Sequence, residues 1–463
     1  MAGKYQSPSK KKPGVLIILA IVLVACVCTI AVRKLSQDKA PTKPEPQSAD
    51  VSVDITPGQT ETEPPETEAP PTEPHTKLAT ATIGATGDLL LHDTVIKSGY
   101  DRETKTYNYD DIFTWFTKYV SRVDYAAANL EVTLNSNDNG FPYSGYPCFN
   151  SPDAIVDAAK NAGFDLLLTA NNHTYDMGWS GFTRTQEVIE DRELDHVGSR
   201  LKAEDKSYLI REINGIKVAM TCYTYCTGYT GKGGFMLNGI ALSLEASELV
   251  NAYHYRYLDR FYDKLSGEIG QMKADGAEAI VMFIHWGTEY KTKPNEYQLE
   301  ISQKLCDLGV DVIVGNHAHV VQPVELLTSR TDENHRTLCL YSTGNSIANI
   351  RRSGKFPPHA EDGMFFTFTF AKYSDGSVLV ESAEVLPTWV WTGLDEKGYK
   401  KFRIMAMDPD TDWKTEMNLD EELTAFCEES IDRTNAIVGE GLAAANTWFA
   451  EKQAEKETAL GIR

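Results

Sequence analysis

Two stretches decide the fold class of this chain: AEAIVMFIHWG at residues 277–287 and VDVIVGNHAHV at residues 310–320. Each stretch is a short, strongly apolar run that ends in histidine and other polar residues. The segment between them, at residues 296–308, is predicted to be a helix. Strand, helix and strand in this order predict parallel strands covered by a helix, which is the unit of an α/β fold.

The same alternation extends toward the N-terminus. Four more apolar runs are predicted strands: LATATIGATGD (78–88), VDYAAANLE (123–131), FDLLLTANNH (164–173) and KVAMTCY (217–223). Helices are predicted at residues 109–121, from the Ser-Pro pair at residues 151–152 onward, and at residues 255–274. We therefore predict one α/β domain over residues 78–390.

The C-terminal third has a different pattern. After residue 337 strands follow one another without long helices, as in GMFFTFTFAKY at residues 363–373, which predicts a second sheet packed on the first. Residues 419–456 are rich in Ala and Glu and are predicted to be helical. Residues 391–463 are accordingly predicted to be a partly helical extension of the domain.

The N-terminal segment predicts a membrane anchor. Residues 15–32, VLIILAIVLVACVCTIAV, carry no charge and are just long enough for a helix to cross the hydrocarbon layer. Lysines at residues 10–12 and basic residues at 33–34 flank the run, so the positive-inside rule favours a cytoplasmic tail at residues 1–14 by a small margin. A cleaved signal peptide and a lipoprotein acylated at Cys26 are the alternatives. All three place the folded domain outside the cell.

Residues 33–77 are the predicted disordered linker. Its part from residue 36 to 77 holds nine of the chain's twenty prolines, with many Thr and Glu, and cannot bury a core. Residues 1–35 contribute +6 and residues 36–77 contribute 3 − 9 = −6, so the remainder carries the whole net charge of −21. An acidic domain offers no broad basic surface to a phosphate backbone, and we expect no nucleic-acid partner.

The eight cysteines contain no CxxC pair, so a zinc-finger site is not indicated. Cys306 and Cys339 lie in apolar runs and are predicted to be buried thiols. A disulfide between Cys222 and Cys226 is compatible with an extracellular location but is only weakly indicated.

Polar residues stand where five predicted strands end. These ends are Gly87-Asp88, Asn129-Leu130-Glu131, Asn171-Asn172-His173, His285-Trp286-Gly287 and Gly315-Asn316-His317-Ala318-His319. Ligands of α/β sheets bind beyond the carboxyl ends of strands. Helix capping explains one such residue but not five coincidences, so we predict a metal or catalytic cluster. Carboxylate, amide and imidazole groups without thiolate suit two divalent ions, with Mn, Fe or Zn as the candidates.

Six motifs of this chain, taken in order, resemble those of the CapA family of poly-γ-glutamate capsule synthesis proteins. They are GD, NLE, ANNHTYDMG, HWGTEY, GNHAHVVQPVE and YSTGNS. The resemblance covers residues 79–390. It implies the calcineurin-like metallophosphoesterase fold, a four-layer αββα sandwich. It also implies that an anionic polymer such as poly-γ-glutamate is the substrate, with polymer synthetase or export subunits as further partners.

The resemblance also implies roles for individual residues. The implied metal ligands are Asp88, Glu131, Asn172, His285, His317 and His319. His173 is implied to be the general acid, and Asp176 would orient it through a hydrogen bond. This chain departs from phosphatases in two places. The histidine expected two residues after Asp88 is missing, with His92 four residues on, and Asn129-Leu130-Glu131 replaces the phosphatase GDxxD.

Four residues beside these motifs are predicted to contact substrate: Asn129, Glu289, Tyr290 and Asn345. For Glu289 and Tyr290 the alternative is that they orient His285, and for Asn345 that it forms a turn. Arg351 and Arg352 would suit an anionic polymer, but an exposed arginine pair is more often solvated surface.

Three functions stay open. The first is a metal-dependent hydrolase or transferase that acts on an anionic envelope polymer. The second is a non-enzymatic component of a polymer synthesis and export complex. The third, an extracellular phosphoesterase, follows from analogy of fold alone. The complete ligand set and the neighbouring His173 favour the first.

Overall fold

The computed structural model describes residues 76–230 and 234–461. Its strands are β1 Lys77–Leu89, β2 Tyr125–Leu130, β3 Leu166–Leu168, β4 Asp195–Val197, β5 Tyr208–Ile213, β6 Ile216–Tyr225, β7 Gly228–Tyr229, β8 Phe235–Leu237, β9 Ile240–Ala241, β10 Ala252–Tyr253, β11 Ala279–His285, β12 Val312–Asn316, β13 Val324–Thr328, β14 Arg336–Leu340, β15 Asn345–Ile347, β16 Asp362–Tyr373, β17 Val378–Leu394 and β18 Lys400–Ala406. Its α-helices are α1 Asp93–Ser98, α2 Asp110–Phe113, α3 Thr117–Val120, α4 Ala154–Ala162, α5 Gly178–Asp191, α6 Leu244–Leu249, α7 Leu258–Ala274, α8 Glu296–Asp307, α9 Trp413–Glu416 and α10 Glu421–Ala459.

The predicted tail (1–14), the predicted anchor (15–32) and all but the last two residues of the predicted linker (33–77) lie outside the described residues. Within the part of the chain that the structure describes, no helix has both the length and the apolar character needed to cross a membrane.

Two large sheets carry the fold. The first has the order β18-β17-β16-β1-β2-β3-β4, with β15 also paired to β1, and the second has the order β10-β6-β11-β12-β14-β13, with β5 also paired to β6. Strands β1 to β4 run parallel, as do β6, β11, β12 and β14. A small third sheet consists of β7, β8 and β9. The chain is therefore a mixed α/β protein, as predicted.

The strands after residue 337 do not form a sheet of their own, so that prediction is wrong. β14 extends the second sheet beside β12, whereas β15 to β18 extend the first sheet beside β1. The parallel strands are themselves divided, with β1 to β4 in one sheet and β6, β11 and β12 in the other. An apolar run predicts a strand but does not specify the edge that the strand joins.

The central strand β11 explains the layering. Its apolar run is continuous because successive side chains point to opposite faces and both faces are covered. Val281 and Phe283 enter the core between the two sheets, while Met282 and Ile284 enter the core beneath α7 and α8. Another core lies between the first sheet and helices α1 to α4. The layers thus follow the order helices, sheet, sheet, helices.

The segment after residue 390 is continuous with the sheets. β17 runs through that position, and β18 pairs with β17. Helix α10, which matches the helix predicted at 419–456, packs on β17 and β13. A Cβ atom at Gly441 would lie 1.8 Å from the carbonyl oxygen of Val324, so the absence of a side chain allows this close contact.

Two local predictions fail. The helix predicted at residues 109–121 is broken into α2 and α3, and the Thr117 hydroxyl donates to the Phe113 carbonyl at 3.0 Å, at the break. Cys222 and Cys226 are free and buried in different cores, so they form no disulfide. Cys306 and Cys339 are buried thiols, as predicted.

Candidate metal centre

The carboxyl ends of the parallel strands bring the predicted ligands together. In the first sheet Asp88 on β1 pairs in register with Asn129 on β2, and in the second His285 on β11 pairs with Asn316 on β12. Side chains from the two sheets meet there, since His319 Nδ1 lies 3.0 Å from Asp88 Oδ2. The candidate site therefore lies where the polar edges of both sheets converge.

The six predicted metal ligands lie in this one site and are at most 6% exposed: Asp88, Glu131, Asn172, His285, His317 and His319. They include two sets of three donors whose ligand atoms lie within 4.8 Å of one another. The first set is Glu131, His285 and His317, and the second is Asp88, Glu131 and His319. Glu131 belongs to both sets and thus stands between them.

The first donor set contains an amide as well. His285 Nε2 lies 2.6 Å from Asn172 Oδ1, 3.1 Å from His317 Nδ1 and 3.5 Å from Glu131 Oε1. Two imidazoles, a carboxylate and an amide oxygen therefore point at one small volume. This mixture of nitrogen and oxygen donors suits a divalent transition metal.

The second donor set is held by asparagines. His319 Nδ1 lies 3.1 Å from Asn345 Oδ1 as well as near Asp88, and His319 Nε2 lies 4.0 Å from Glu131 Oε1. Asn129 donates from Nδ2 to Asp88 Oδ1 at 2.7 Å. The asparagines thus fix the orientation of the carboxylate and the imidazole, as outer partners do in metal sites.

The shifted pKa values of the buried donors favour a bound cation. Burial, and then the Asp88 carboxylate, holds the pKa of Glu131 well above its usual range. Burial, and then the charge of a neighbouring histidine, holds the pKa of His285 and of His317 well below the usual range. For His319, burial is the largest effect and lowers the pKa. The hydrogen bond and charge of Asp88, the charge of Glu289 and the hydrogen bond to Asn345 together outweigh it, so the net pKa is raised.

A buried oxygen of the central carboxylate accepts no hydrogen bond in the described part of the chain, although two imidazoles lie 3.5 and 4.0 Å from it. Glu131 Oε1 is buried and accepts no hydrogen bond within the described ranges, and His285 Nδ1 is likewise buried without a partner. Leaving an ionised oxygen buried and unpaired is costly, and a divalent cation between the two donor sets would remove that cost. The residues therefore fit a metal centre.

The loop after β12 has an unusual backbone. His317 and His319 have φ angles of 93° and 54°, a region that residues with a side chain rarely adopt. Such strain clusters at functional sites, where the surrounding structure enforces it. Here it turns both imidazoles toward Glu131. A Cβ atom at Gly315 would lie 2.0 Å from the Tyr341 carbonyl oxygen, so only glycine fits just before this loop.

A histidine–carboxylate pair lies beside the donor sets. His173 follows the ligand Asn172, and its Nδ1 lies 2.7 Å from Asp176 Oδ2. The same carboxylate oxygen accepts a hydrogen bond from the Phe149 backbone N–H at 2.7 Å. Asn238 donates from Nδ2 to Asp176 Oδ1 at 2.9 Å. The hydrogen bond predicted between His173 and Asp176 is therefore present.

A comparison with protein families shows which family the chain belongs to. The model of the family described as bacterial capsule synthesis protein PGA_cap matches residues 82–350, which is more than half of the chain. The chain belongs to this capsule synthesis family. The resemblance seen in the motifs is confirmed.

The chain is similar to several curated proteins at low sequence identity. The chain is 28% identical over 248 residues to the capsule biosynthesis protein CapA of Bacillus anthracis, covering 52% of this chain and 54% of that protein. It is 26% identical over 263 residues to the PGA biosynthesis protein CapA of Bacillus subtilis strain 168, covering 56% and 61%. A probable polyglutamine synthesis accessory protein of Mycobacterium tuberculosis is 22% identical over 301 residues, covering 63% and 70%. The match to the two Bacillus relatives thus spans between half and two thirds of their length.

The predicted substrate residues of this family member have different environments. Asn129 and Asn345 are buried among the donors, and Asn345 Nδ2 donates to the carbonyl oxygens of His319 and Ala360 at 3.1 and 3.0 Å. Glu289 is exposed beside the site. The ring of Tyr290 lies 6.0 Å from that of His319. Glu289 and Tyr290 therefore remain the candidates for substrate contact.

Acidic side chains hold the arginine pair, Arg351 and Arg352, in place. Arg351 lies 3.3 Å and Arg352 2.9 Å from oxygens of the buried Glu361 carboxylate. Arg352 also lies 3.4 Å from Glu429 of α10. Their charges are thus used within the domain, which supports a structural role.

Sequence reasoning missed two residues of the site. The ring of Tyr225 lies 4.8 Å from that of His317, and Asn238 donates a hydrogen bond to Asp176. His92, noted from the sequence only for its position four residues after Asp88, places its ring 5.4 Å from that of Phe149. Tyr225 lies two residues beyond the strand predicted at 217–223 and ends the observed strand β6, so its position near a strand end was the signal that could have identified it. Asn238-Gly239 is the turn dipeptide of a tight hairpin, but nothing in the local sequence indicates that this turn reaches Asp176.

Proposed function

We propose that this protein is a metal-dependent hydrolase or transferase that acts on an anionic envelope polymer such as poly-γ-glutamate during capsule biosynthesis. The observation that carries the proposal is the position of Glu131, which is shared by two buried donor sets. A purely structural polar cluster would satisfy its own hydrogen bonds, whereas Glu131 Oε1 accepts no hydrogen bond from the described residues.

The metal would be held by residues of both sheets. His285, His317 and Asn172 would hold one divalent ion and Asp88 and His319 a second, with Glu131 between them. When bound, a pair of Mn, Fe or Zn ions supplies positive charge to a substrate oxygen and lowers the pKa of a bound water. The order helices, sheet, sheet, helices supports assignment to the calcineurin-like metallophosphoesterase type.

The residues of the chain supply the proton transfer. Asp176 accepts from His173 Nδ1, which leaves His173 Nε2 as the atom that can protonate a leaving group. Asn238 and the Phe149 N–H fix Asp176, so the imidazole is held in one orientation. Glu289 and Tyr290 lie beside the site and are the proposed contacts to the polymer.

The proposed location rests on the N-terminal sequence alone. We propose that residues 15–32 cross the cell membrane, that residues 33–77 are a spacer and that the domain lies outside the cell. Polymer synthetase or export subunits are the proposed protein partners. The relatives named as synthesis or accessory proteins support this assignment.

The test is turnover by the purified full chain. Poly-γ-glutamate is incubated with the metal-loaded protein, with and without EDTA, and new chain ends and chain length are measured. We expect metal-dependent cleavage or transfer that His173→Ala abolishes and that His196→Ala, outside the site, leaves unchanged. Turnover of the polymer that is insensitive to EDTA and to His173→Ala would contradict the proposal. Phosphate release from simple phosphate esters, with no effect on the polymer, would instead indicate a phosphoesterase.

A further inference from the structure

A second cavity lies at the edge of the second sheet, apart from the metal centre. It has a volume of about 480 Å³ and lies among β10, α6, α7 and the small sheet. A row of aromatic side chains lies between this cavity and the metal centre. Tyr253 in its wall lies 5.5 Å from Tyr255, which lies 5.8 Å from Tyr225, the neighbour of His317. This cavity is thus a different site from the candidate metal centre.

The cavity is basic in an acidic protein. Arg200, His254, Arg260 and Lys264 line it against a single acid, Glu248, although the chain carries a net charge of −21. Lys264 pairs with Glu268 at 3.6 Å, but Arg200 and Arg260 make no ion pair within the described ranges. Positive charge that the protein does not neutralise attracts an anion.

One of these cations has a fixed position. The Arg200 guanidinium donates to Asn251 Oδ1 at 3.1 Å and to the Glu248 backbone carbonyl oxygen. Neither acceptor carries a charge, so the guanidinium keeps its full positive charge at the cavity wall. A planar guanidinium held in this way suits a carboxylate or a phosphate.

The remaining walls are aromatic. Tyr253 stacks on Phe261 with ring centroids 4.6 Å apart, and Tyr229 lies 5.7 Å from Tyr257. Arg260 lies over the Tyr257 ring at 5.2 Å. A ligand would therefore meet flat apolar surfaces as well as positive charge, a combination typical of small-molecule sites.

We propose that this cavity binds a small organic anion, namely a carboxylate or phosphate group on an apolar or aromatic body. The charged group lies toward Arg200, Arg260 and Lys264, and the body packs between Tyr257 and Phe261. The small sheet borders both sites, since Tyr229 and Phe235 line the cavity while Asn238, in the turn after β8, holds Asp176. Ligand binding would therefore act on the element that orients His173.

The test uses two water-soluble probes with the same apolar body and different head groups, the anionic 4-phenylbutyrate and the neutral 4-phenylbutyramide. Binding to the full chain is measured by calorimetric titration. We expect saturable binding of the acid at one site and binding of the amide at least about fivefold weaker, because the amide loses a charge-assisted contact. The double variant Arg260→Gln, Lys264→Gln removes this preference, and Lys273→Gln, an exposed lysine near the other end of α7, keeps it.

Two further results decide the proposal independently of the metal centre. Binding of the acid must persist in His317→Ala, because that histidine lies outside the cavity. Loss of binding in His317→Ala would place the acid at the metal centre and overturn the proposal. Equal binding of acid and amide, or no saturable binding of the acid, would also overturn it. None of these results depends on whether the protein turns over a polymer.

Discussion

His173 Nδ1 lies 2.7 Å from Asp176 Oδ2, and the side chains of both residues are almost fully buried. The carboxylate is itself fixed by the Phe149 N–H and by Asn238. A histidine oriented on one nitrogen by a carboxylate presents the other for proton transfer. This pair is the feature that most clearly favours an enzyme over a binding protein.

His173→Ala removes the proposed general acid. We expect kcat on the polymer to fall at least about a hundredfold, the usual loss for a proton-transfer group. The metal content should be unchanged, because the six ligands remain. A variant that loses its metal together with its activity would show that His173 is a ligand, contrary to the role assigned.

Asn238→Ala removes the hydrogen bond to Asp176 Oδ1. The carboxylate then loses one of its fixed partners, and we expect kcat to fall about tenfold, as for the loss of about 1.4 kcal/mol. Asn418→Ala is the matched control, since Asn418 has a similar backbone φ of 50° against 47° for Asn238 but is exposed outside the site. Equal turnover in Asn238→Ala and the parent would exclude a positioning role.

Arg433→Met tests the attachment of helix α10. Arg433 donates from Nε and Nη2 to the Asp362 carboxylate, which is buried and also accepts from Ser430. Removal of the cation leaves a buried charge with only the Ser430 hydroxyl and the His359 imidazole, 3.8 Å away, beside it. We expect the free energy of unfolding to fall by about 3 kcal/mol. Denaturant titration measures this, with Lys452→Met of an exposed pair on the same helix expected to change it by less than about 1 kcal/mol. Similar stability of both variants would contradict the assignment of α10 to the domain core.

Gly315→Ala tests the packing behind the histidine loop. The added methyl would lie 2.0 Å from the Tyr341 carbonyl oxygen and 2.5 Å from Trp286 Nε1, so β12 must move. We expect loss of stability of at least about 2 kcal/mol and weaker metal binding. Gly267→Ala, in helix α7 with no atom within 4 Å of the added methyl, should instead be neutral or stabilising by up to about 1 kcal/mol. An unchanged Gly315→Ala protein would show that this close approach is not required.

The sequence was most informative where one strand carries its own signal. The side chains from Val281 to Ile284 point alternately into two cores. A run that is apolar on both faces predicts a central strand. His285 and Asn316 follow such runs, so their meeting at one edge was predictable. The partition into two sheets was not, because the edge that a strand joins depends on contacts between distant segments.

The same reasoning explains the missed residues. Asn238 reaches Asp176 across 62 positions of sequence, and no local pattern encodes that distance. Residues 109–121 have apolar residues at helical spacing throughout, which predicts one helix. In the structure the Thr117 hydroxyl donates a hydrogen bond to the Phe113 carbonyl oxygen where the helix breaks. Propensity describes single segments, whereas these features arise from contacts of individual side chains.

The most direct test of the central claim is the metal content of the folded full chain and its variants, measured by inductively coupled plasma mass spectrometry. We predict about two equivalents in the parent and in His196→Ala, about one in His317→Ala, and none in Glu131→Gln, because Glu131 alone belongs to both donor sets. A folded parent without bound metal, or a Glu131→Gln protein that keeps both equivalents, would contradict the account.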